Sequence, residues 1–320
     1  MLVTRFFLWI FSVSAAILGA GALCAQDYPT KPIRIVTALA GGGGDLVARL
    51  IGQGLAGSMR QPVIVDNRGA IMAAEIVAKA APDGYTLLSY GTTVWLLPFM
   101  RDYVPWDPVK SFVPISLTVS TPNVLVVNSS VPVQSVKELI ALAKARPGEL
   151  NYASSGTGAS NHLAGELFKA MAGVNIVRIP YKGNAAAVND LLGARVQIMF
   201  VTPAAVMPHA KTGKLRTLAV SSAQPSPLTP GLPTVAASGL PGYESVLPYG
   251  IFVPAKTPSA VVGRLHQEIV RFLNRTEVRE QFLNAGFATV ASSPQEFAAA
   301  IKSEMERMSK VIKDAGIRDE

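Results

Sequence analysis

From Pro32 onward the sequence alternates short β-rich runs with segments of helical period, a pattern that points to α/β layers with mainly parallel sheets. Residues 33–37 read as a first strand. A glycine turn leads into a helix over 45–59, where Leu46, Val47, Leu50, Ile51 and Leu55 share one face. A strand over 63–65, a helix over 73–81 and, after Pro82-Asp83-Gly84, a strand over 85–88 complete a repeating β-α-β unit. A second unit begins with a strand over 124–127. Ser135 caps a helix to Ala145, residues 151–153 form a strand, and a small-residue turn precedes a helix from about Ser160 to Met171. Strands are expected near 176–179, 196–200 and 215–220, then a proline-rich irregular segment from Pro225 to Pro241, then a strand over 245–253. The remainder is helical, with Phe297, Ile301, Met305, Met308 and Ile312 forming a core-facing stripe.

This layout suggests two lobes, the second inserted in the first: residues 26–126 plus 247–320, and residues 127–246. Two extended crossings, near 124–127 and 245–253, would join them as a hinge. A chain of 320 residues is long enough for both cores. Its apolar excess, a mean hydropathy of +0.33, comes partly from residues 6–22, which follow the basic Arg5. With the small residues 19–25 behind them they read as an export signal, residues 1–25, which a signal peptidase could cut after Ala22 or, the favoured site, Ala25, the alternative being a retained membrane anchor. Cleavage after Ala25 removes Cys24, the single cysteine, and with it any disulfide or thiol chemistry. The remaining chain carries 28 − 21 = +7 charges, scattered without basic runs or interleaved aromatics, so a nucleic-acid partner is not expected.

Two loops could carry chemistry. Gly41-Gly42-Gly43-Gly44-Asp45 joins a strand to a helix, where unpaired amides can hold an anion and glycine permits close approach. Ser154-Ser155-Gly156-Thr157-Gly158-Ala159-Ser160 takes the equivalent place in the second lobe and adds hydroxyls. No Lys or Arg lies between Arg34 and Arg49 or between Arg146 and Lys169, which favours a carboxylate over a phosphate. A bulky side chain at Gly43 should block the approach while leaving the fold intact, and Ser155→Ala should remove a donor. Other chemistries fit less well. A dinucleotide fingerprint starting at Gly42 would need its third glycine at Val47. A nucleophile elbow at Ser160, the basis of an alternative reading as an exported serine hydrolase, ends in His162 instead of glycine. His162 and Glu166 share a helical face but lack a third metal ligand, and neither a metal nor another cofactor is expected.

Several segments together resemble one family: Tyr28-Pro29, Lys31-Pro32-Ile33-Arg34, the glycine loop ending in Asp45, Asn67-Arg68, residues 78–88, and Tyr152-Ala153-Ser154-Ser155-Gly156. The likeness continues through residues 162–168, Pro180-Tyr181-Lys182-Gly183, residues 240–244 and residues 311–317. It is to the Bug family, the solute-binding proteins of tripartite tricarboxylate transporters. The resemblance implies an α/β, type II-like periplasmic-binding-protein fold of two lobes with two interlobe crossing strands. It also implies a non-catalytic receptor that closes on a small carboxylate, an organic acid or amino acid, and delivers it to a membrane permease. The ligand loops carried over are Ala40, Gly41, Gly42, Gly43, Gly44 and Asp45, then Ser154, Ser155, Gly156, Thr157, Gly158 and Ser160. Asp45 either caps its own helix or accepts a hydrogen bond from the ligand. Tyr181, Thr202 and Tyr249 could line the cleft.

Overall fold

The computed structural model describes residues 28–319, so the expected export signal lies outside the described residues. In chain order the elements begin β1 (Ile33–Thr37), α1 (Gly43–Met59), β2 (Val63–Asn67), α2 (Ala70–Ala78), β3 (Thr86–Tyr90), α3 (Thr93–Met100) and β4 (Phe112–Pro122). They continue with β5 (Val124–Asn128), α4 (Val136–Ala145), β6 (Asn151–Ser154), α5 (Ser160–Ala172), β7 (Val177–Pro180), α6 (Asn184–Leu192), β8 (Ile198–Val201), α7 (Pro203–Lys211) and β9 (Leu215–Val220). The chain ends with β10 (Val246–Pro254), α8 (Ser259–Leu273), α9 (Thr276–Asn284), β11 (Ala288–Thr289) and α10 (Pro294–Asp314).

These build two lobes, one around a sheet ordered β11-β4-β10-β3-β1-β2 and the other around a sheet ordered β7-β6-β8-β5-β9. The expectation of mainly parallel sheets needs correction. β1, β2 and β3 run parallel, as do β6, β7 and β8, but β10 is antiparallel to β3 and β4, and β5 to β8 and β9. In the first sheet β10 returns from the second lobe and runs against β3 and β4, whereas in the second sheet β5 enters against the common direction of β6, β7 and β8. The second helix is also displaced, running from Ala70 to Ala78 instead of over 73–81.

Sheet membership changes at Asn123, between β4 and β5, and changes back between β9 and β10. The two passages are tied together. Asn123 N–H donates to Ser221 Oγ at 2.8 Å, Ser221 N–H to the Asn123 carbonyl at 2.8 Å, and Ser245 N–H to the Ser221 carbonyl at 2.9 Å.

On one face of the first sheet Ile33, Ile35, Leu87 and Ile251 meet Val47, Ile51 and Leu55 of α1 and Leu265 and Ile269 of α8. The opposite face, through Val36, Leu88 and Phe252, packs on Trp95 of α3 and Phe297 of α10, and this cluster extends into the second lobe through Tyr152, Leu163 and Phe168. Phe297, Ile301, Met308 and Ile312 are buried, with Met305 partly buried beside them. Ser293 caps that helix through a reciprocal pair with Glu296.

One carboxyl in this interface is perturbed. Burial pushes Glu304 up to about 7, against the opposing effects of the Trp95 indole N–H, 2.9 Å from Oε2, and of Arg307. A raised folded-state pKa means that stability falls as pH rises from 4.5 to 7, because ionisation is penalised only in the folded protein. Glu304→Gln keeps an acceptor for the indole and removes that penalty. Urea unfolding should show the variant matching the parent near pH 4 and exceeding it at pH 8 by at most about 3 kcal/mol. Equal stabilities at pH 8 would refute the assignment.

Candidate functional site

The two loops lie at the C-terminal ends of parallel strands, β1 and β6, where ligands sit in open α/β sheets. Each opens a helix on the same plan. In α1 the first three residues are Gly43, Gly44 and Asp45; in α5 they are Ser160, Asn161 and His162. Their backbone N–H groups have no acceptor among the described residues, as expected of a first helical turn. In each helix the third residue bends back to the amide four positions earlier. Asp45 Oδ2 accepts from Gly41 N–H at 3.0 Å, and His162 Nδ1 from Gly158 N–H at 3.1 Å. The loop is thereby fixed by its own helix, while the free amides stay directed outward along the helix axis.

Supporting side chains differ between the lobes. Asp45 Oδ1 takes Asn67 Nδ2 at 2.8 Å and Arg49 Nε at 2.9 Å, and Asn67 Nδ2 also reaches the Ala38 carbonyl at 2.6 Å. Burial would raise the Asp45 carboxyl, but the Gly41 amide, Arg49 and Asn67 outweigh it and hold it at about 2. The helix cap is Gly42, and the buried Asp45 receives the Gly41 amide on Oδ2 and Asn67 and Arg49 on Oδ1. It is the strut of the first loop. In the second, Ser155 donates to Asn161 Oδ1 through its N–H at 3.1 Å and its hydroxyl at 3.2 Å, while Asn161 Nδ2 donates to Asn184 Oδ1 at 2.9 Å. Burial pushes His162 down to about 4, helped by the nearby Arg178. The imidazole is therefore neutral at pH 7, with its proton on Nε2, since Nδ1 accepts.

Ala40, Gly41 and Gly42 are exposed at the tip of the first loop. Gly43 and Gly44 face inward instead: a Cβ on Gly43 would lie 2.9 Å from Phe287 Cζ and 3.1 Å from the Tyr249 hydroxyl. The expectation that bulk at Gly43 spares the fold is therefore wrong, because it would drive into the first lobe. Tyr249 stands under this loop, edge-on to Phe287 at 5.7 Å. Ser154 is buried, Gly156 accepts from Ala159 N–H, and Thr157 is exposed. Gly158 takes φ +72°, a left-handed conformation suited to glycine. Ser160 begins α5, but the His162 nitrogen that could serve as base already accepts the Gly158 amide, so no nucleophile–base pair forms. Glu166 receives Tyr152 OH at 2.6 Å and Lys169, which commits the carboxylate that shares a helical face with His162. Tyr181 donates its N–H to the Ser154 carbonyl and its hydroxyl to Asp190 at 2.9 Å. Thr202 precedes α7 at the end of β8, one strand over from Ser154.

A cavity of about 270 Å³ spans the lobes beside the second loop, between Thr92, Thr93, Leu96 and Met100 of the first lobe and Thr157, Gly158 and Leu163 of the second. Sequence reasoning missed the α3 side of it. It also missed Arg178, whose guanidinium reaches the second loop, donating from Nε to Ser154 Oγ at 2.8 Å. The second loop thus has a guanidinium beside it in space, although no Lys or Arg lies within it along the chain.

Residues 47–317 match the family model described as the tripartite tricarboxylate transporter family receptor. The chain belongs to this family. Protein BugT of Bordetella pertussis is 34% identical over 316 residues, covering 97% of this chain and 96% of BugT. Among solved structures, R. palustris Rpa4515 with adipate is 35% identical with a TM-score of 0.74, covering 91% of this chain and 99% of that one. MatC of Rhodopseudomonas palustris with bound malate is 27% identical with a TM-score of 0.70, covering 89% and 100%. A transporter receptor binds its solute, a role that accords with two polar loops and an interlobe cavity and not with the serine-hydrolase alternative.

Proposed function

We propose that this receptor works in the periplasm after removal of residues 1–25. There it captures a small dicarboxylic or other carboxylated solute without transforming it and passes it to a membrane permease. The carrying observation is the pair of helix N-termini, one per lobe, each with free amides and each braced by its own third residue. Two such ends facing one carboxylate supply hydrogen bonds and aligned dipoles without desolvating a full countercharge. We place the lobe boundaries at Asn123 and in the 221–245 passage, so that both crossings act as the hinge. The adipate and malate held by relatives support the solute class.

The test is a thermal-shift and product screen with organic acids, amino acids, esters and amides. A solute at about a hundred times its Kd should stabilise the protein by about 2.7 kcal/mol and be recovered unchanged. Turnover of an ester that Ser160→Ala abolishes would replace this reading. Because one carboxylate reaches both helix ends only with the lobes drawn together, small-angle scattering should show a smaller radius of gyration with the solute than without it. An unchanged radius would argue against closure.

A further inference from the structure

We propose that Arg178 is the specificity-determining residue of this site, its guanidinium pairing with one carboxylate of a dicarboxylic solute whose other carboxylate lies on the helix amides. This rests on the carboxylate-receptor reading above and adds to it a discrimination between one acid group and two.

Arg178 sits on β7, the edge strand of the second sheet, in register with Tyr152. From there the side chain runs along the sheet to the second loop. Nε donates to Ser154 Oγ at 2.8 Å, a firm anchor, whereas Nη2 reaches Thr157 Oγ1 only at 3.4 Å. A guanidinium has five N–H donors in a planar fork, so most of its capacity here is unspent. The half-buried Arg34 and Arg307 have carboxylate partners, Asp66 and Glu244, and the half-buried Arg216 spends its guanidinium on the Val131 and Val133 carbonyls. No carboxylate among the described residues lies within ion-pair distance of Arg178. Holding a cation half out of water without a counter-ion is unfavourable, which suits a group that receives its anion from outside. Thr157 connects it to the cleft. That residue lines the interlobe cavity, so the guanidinium stands one weak, replaceable hydrogen bond behind the cavity wall. Amides suffice for one carboxylate; a planar fork adds bidentate recognition of a second.

Calorimetry with matched acids of equal chain length, succinate against butyrate and adipate against hexanoate, tests the proposal. The wild-type protein should prefer the better dicarboxylate at least about tenfold. Arg178→Gln should lower dicarboxylate affinity at least about tenfold, leave the monocarboxylate within about threefold, and lose most of the preference, with Arg178→Lys restoring part of it. Equal losses for both acids would make Arg178 a mere brace for Ser154 and overturn the proposal, as would an unchanged ratio. Independently of any variant, the wild-type preference should shrink as salt rises from about 0.02 to 0.5 M, and a salt-insensitive preference would count against it. If monocarboxylates bind as well as dicarboxylates, this proposal alone fails. If no acid of either series binds, the carboxylate-receptor reading fails with it.

Discussion

Gly42→Val should abolish solute binding, by about a hundredfold or more, in a protein that still folds. Gly42 is the N-cap of α1 with φ −92° and ψ 173°, an extended conformation open to any residue. A Cβ there would meet only the Leu39 carbonyl, at 3.7 Å, and would otherwise stand in open space. That space is the mouth of the helix, beside the free amides of Gly43, Gly44 and Asp45, so an isopropyl group takes the volume a ligand oxygen needs. Valine is also a poorer N-cap than glycine, which costs up to about 1 kcal/mol of stability. Calorimetry should therefore show binding lost with only a small fall in melting temperature. Retained affinity would move the site away from α1. Gly43 cannot serve for this test, because its side faces Phe287 and Tyr249 and a substitution would confound binding with packing.

Gly250→Val should produce the largest loss of stability. Gly250 lies mid-strand in β10, paired with Tyr90 of β3 on one side and Leu117 of β4 on the other. A Cβ would fall 2.2 Å from Cζ and 2.4 Å from Cε1 of Phe297. That ring cannot retreat, being buried between Trp95 at 6.1 Å and Phe252 at 4.9 Å. Overpacking of this kind costs typically 1–3 kcal/mol and occasionally more, and here it strains the central strand, so about 3 kcal/mol or more is expected. Gly57→Ala is the control. Its Cβ meets nothing within 4 Å on the exposed side of α1, and alanine should stabilise that helix by about 0.5–1 kcal/mol. Chemical denaturation distinguishes the two, and a Gly250→Val protein as stable as its parent would refute the packing described here.

Most elements with a one-sided apolar pattern were legible in the sequence: β1 and β9 fall on the expected residues, and Ser135 caps α4 through the Glu138 amide. What escaped had no such pattern. β4 carries Pro114 and Pro122 and alternates serine and threonine with apolar residues, yet is buried along most of its length. α3 is apolar on every side and contains Pro98, so it shows no helical period. At the site, the loops could be read because glycine and serine runs between a strand and a helix have a physical meaning by themselves. Asn67 and Arg178 act through neighbouring parallel strands, β2 beside β1 and β7 beside β6, and strand adjacency is not written in the chain. Asp45 was visible but ambiguous. Its role follows from an amide four residues back and from Asn67, and only the fold brings both to its oxygens.

The most direct test of the account is a crystal structure of the protein with a bound dicarboxylate such as adipate. One carboxylate should lie within about 2.7–3.2 Å of amides from both helix starts, Gly43 to Asp45 and Ser160 to His162, with the lobes closed over it. A solute held by one lobe alone, or seated away from both helix starts, would contradict it.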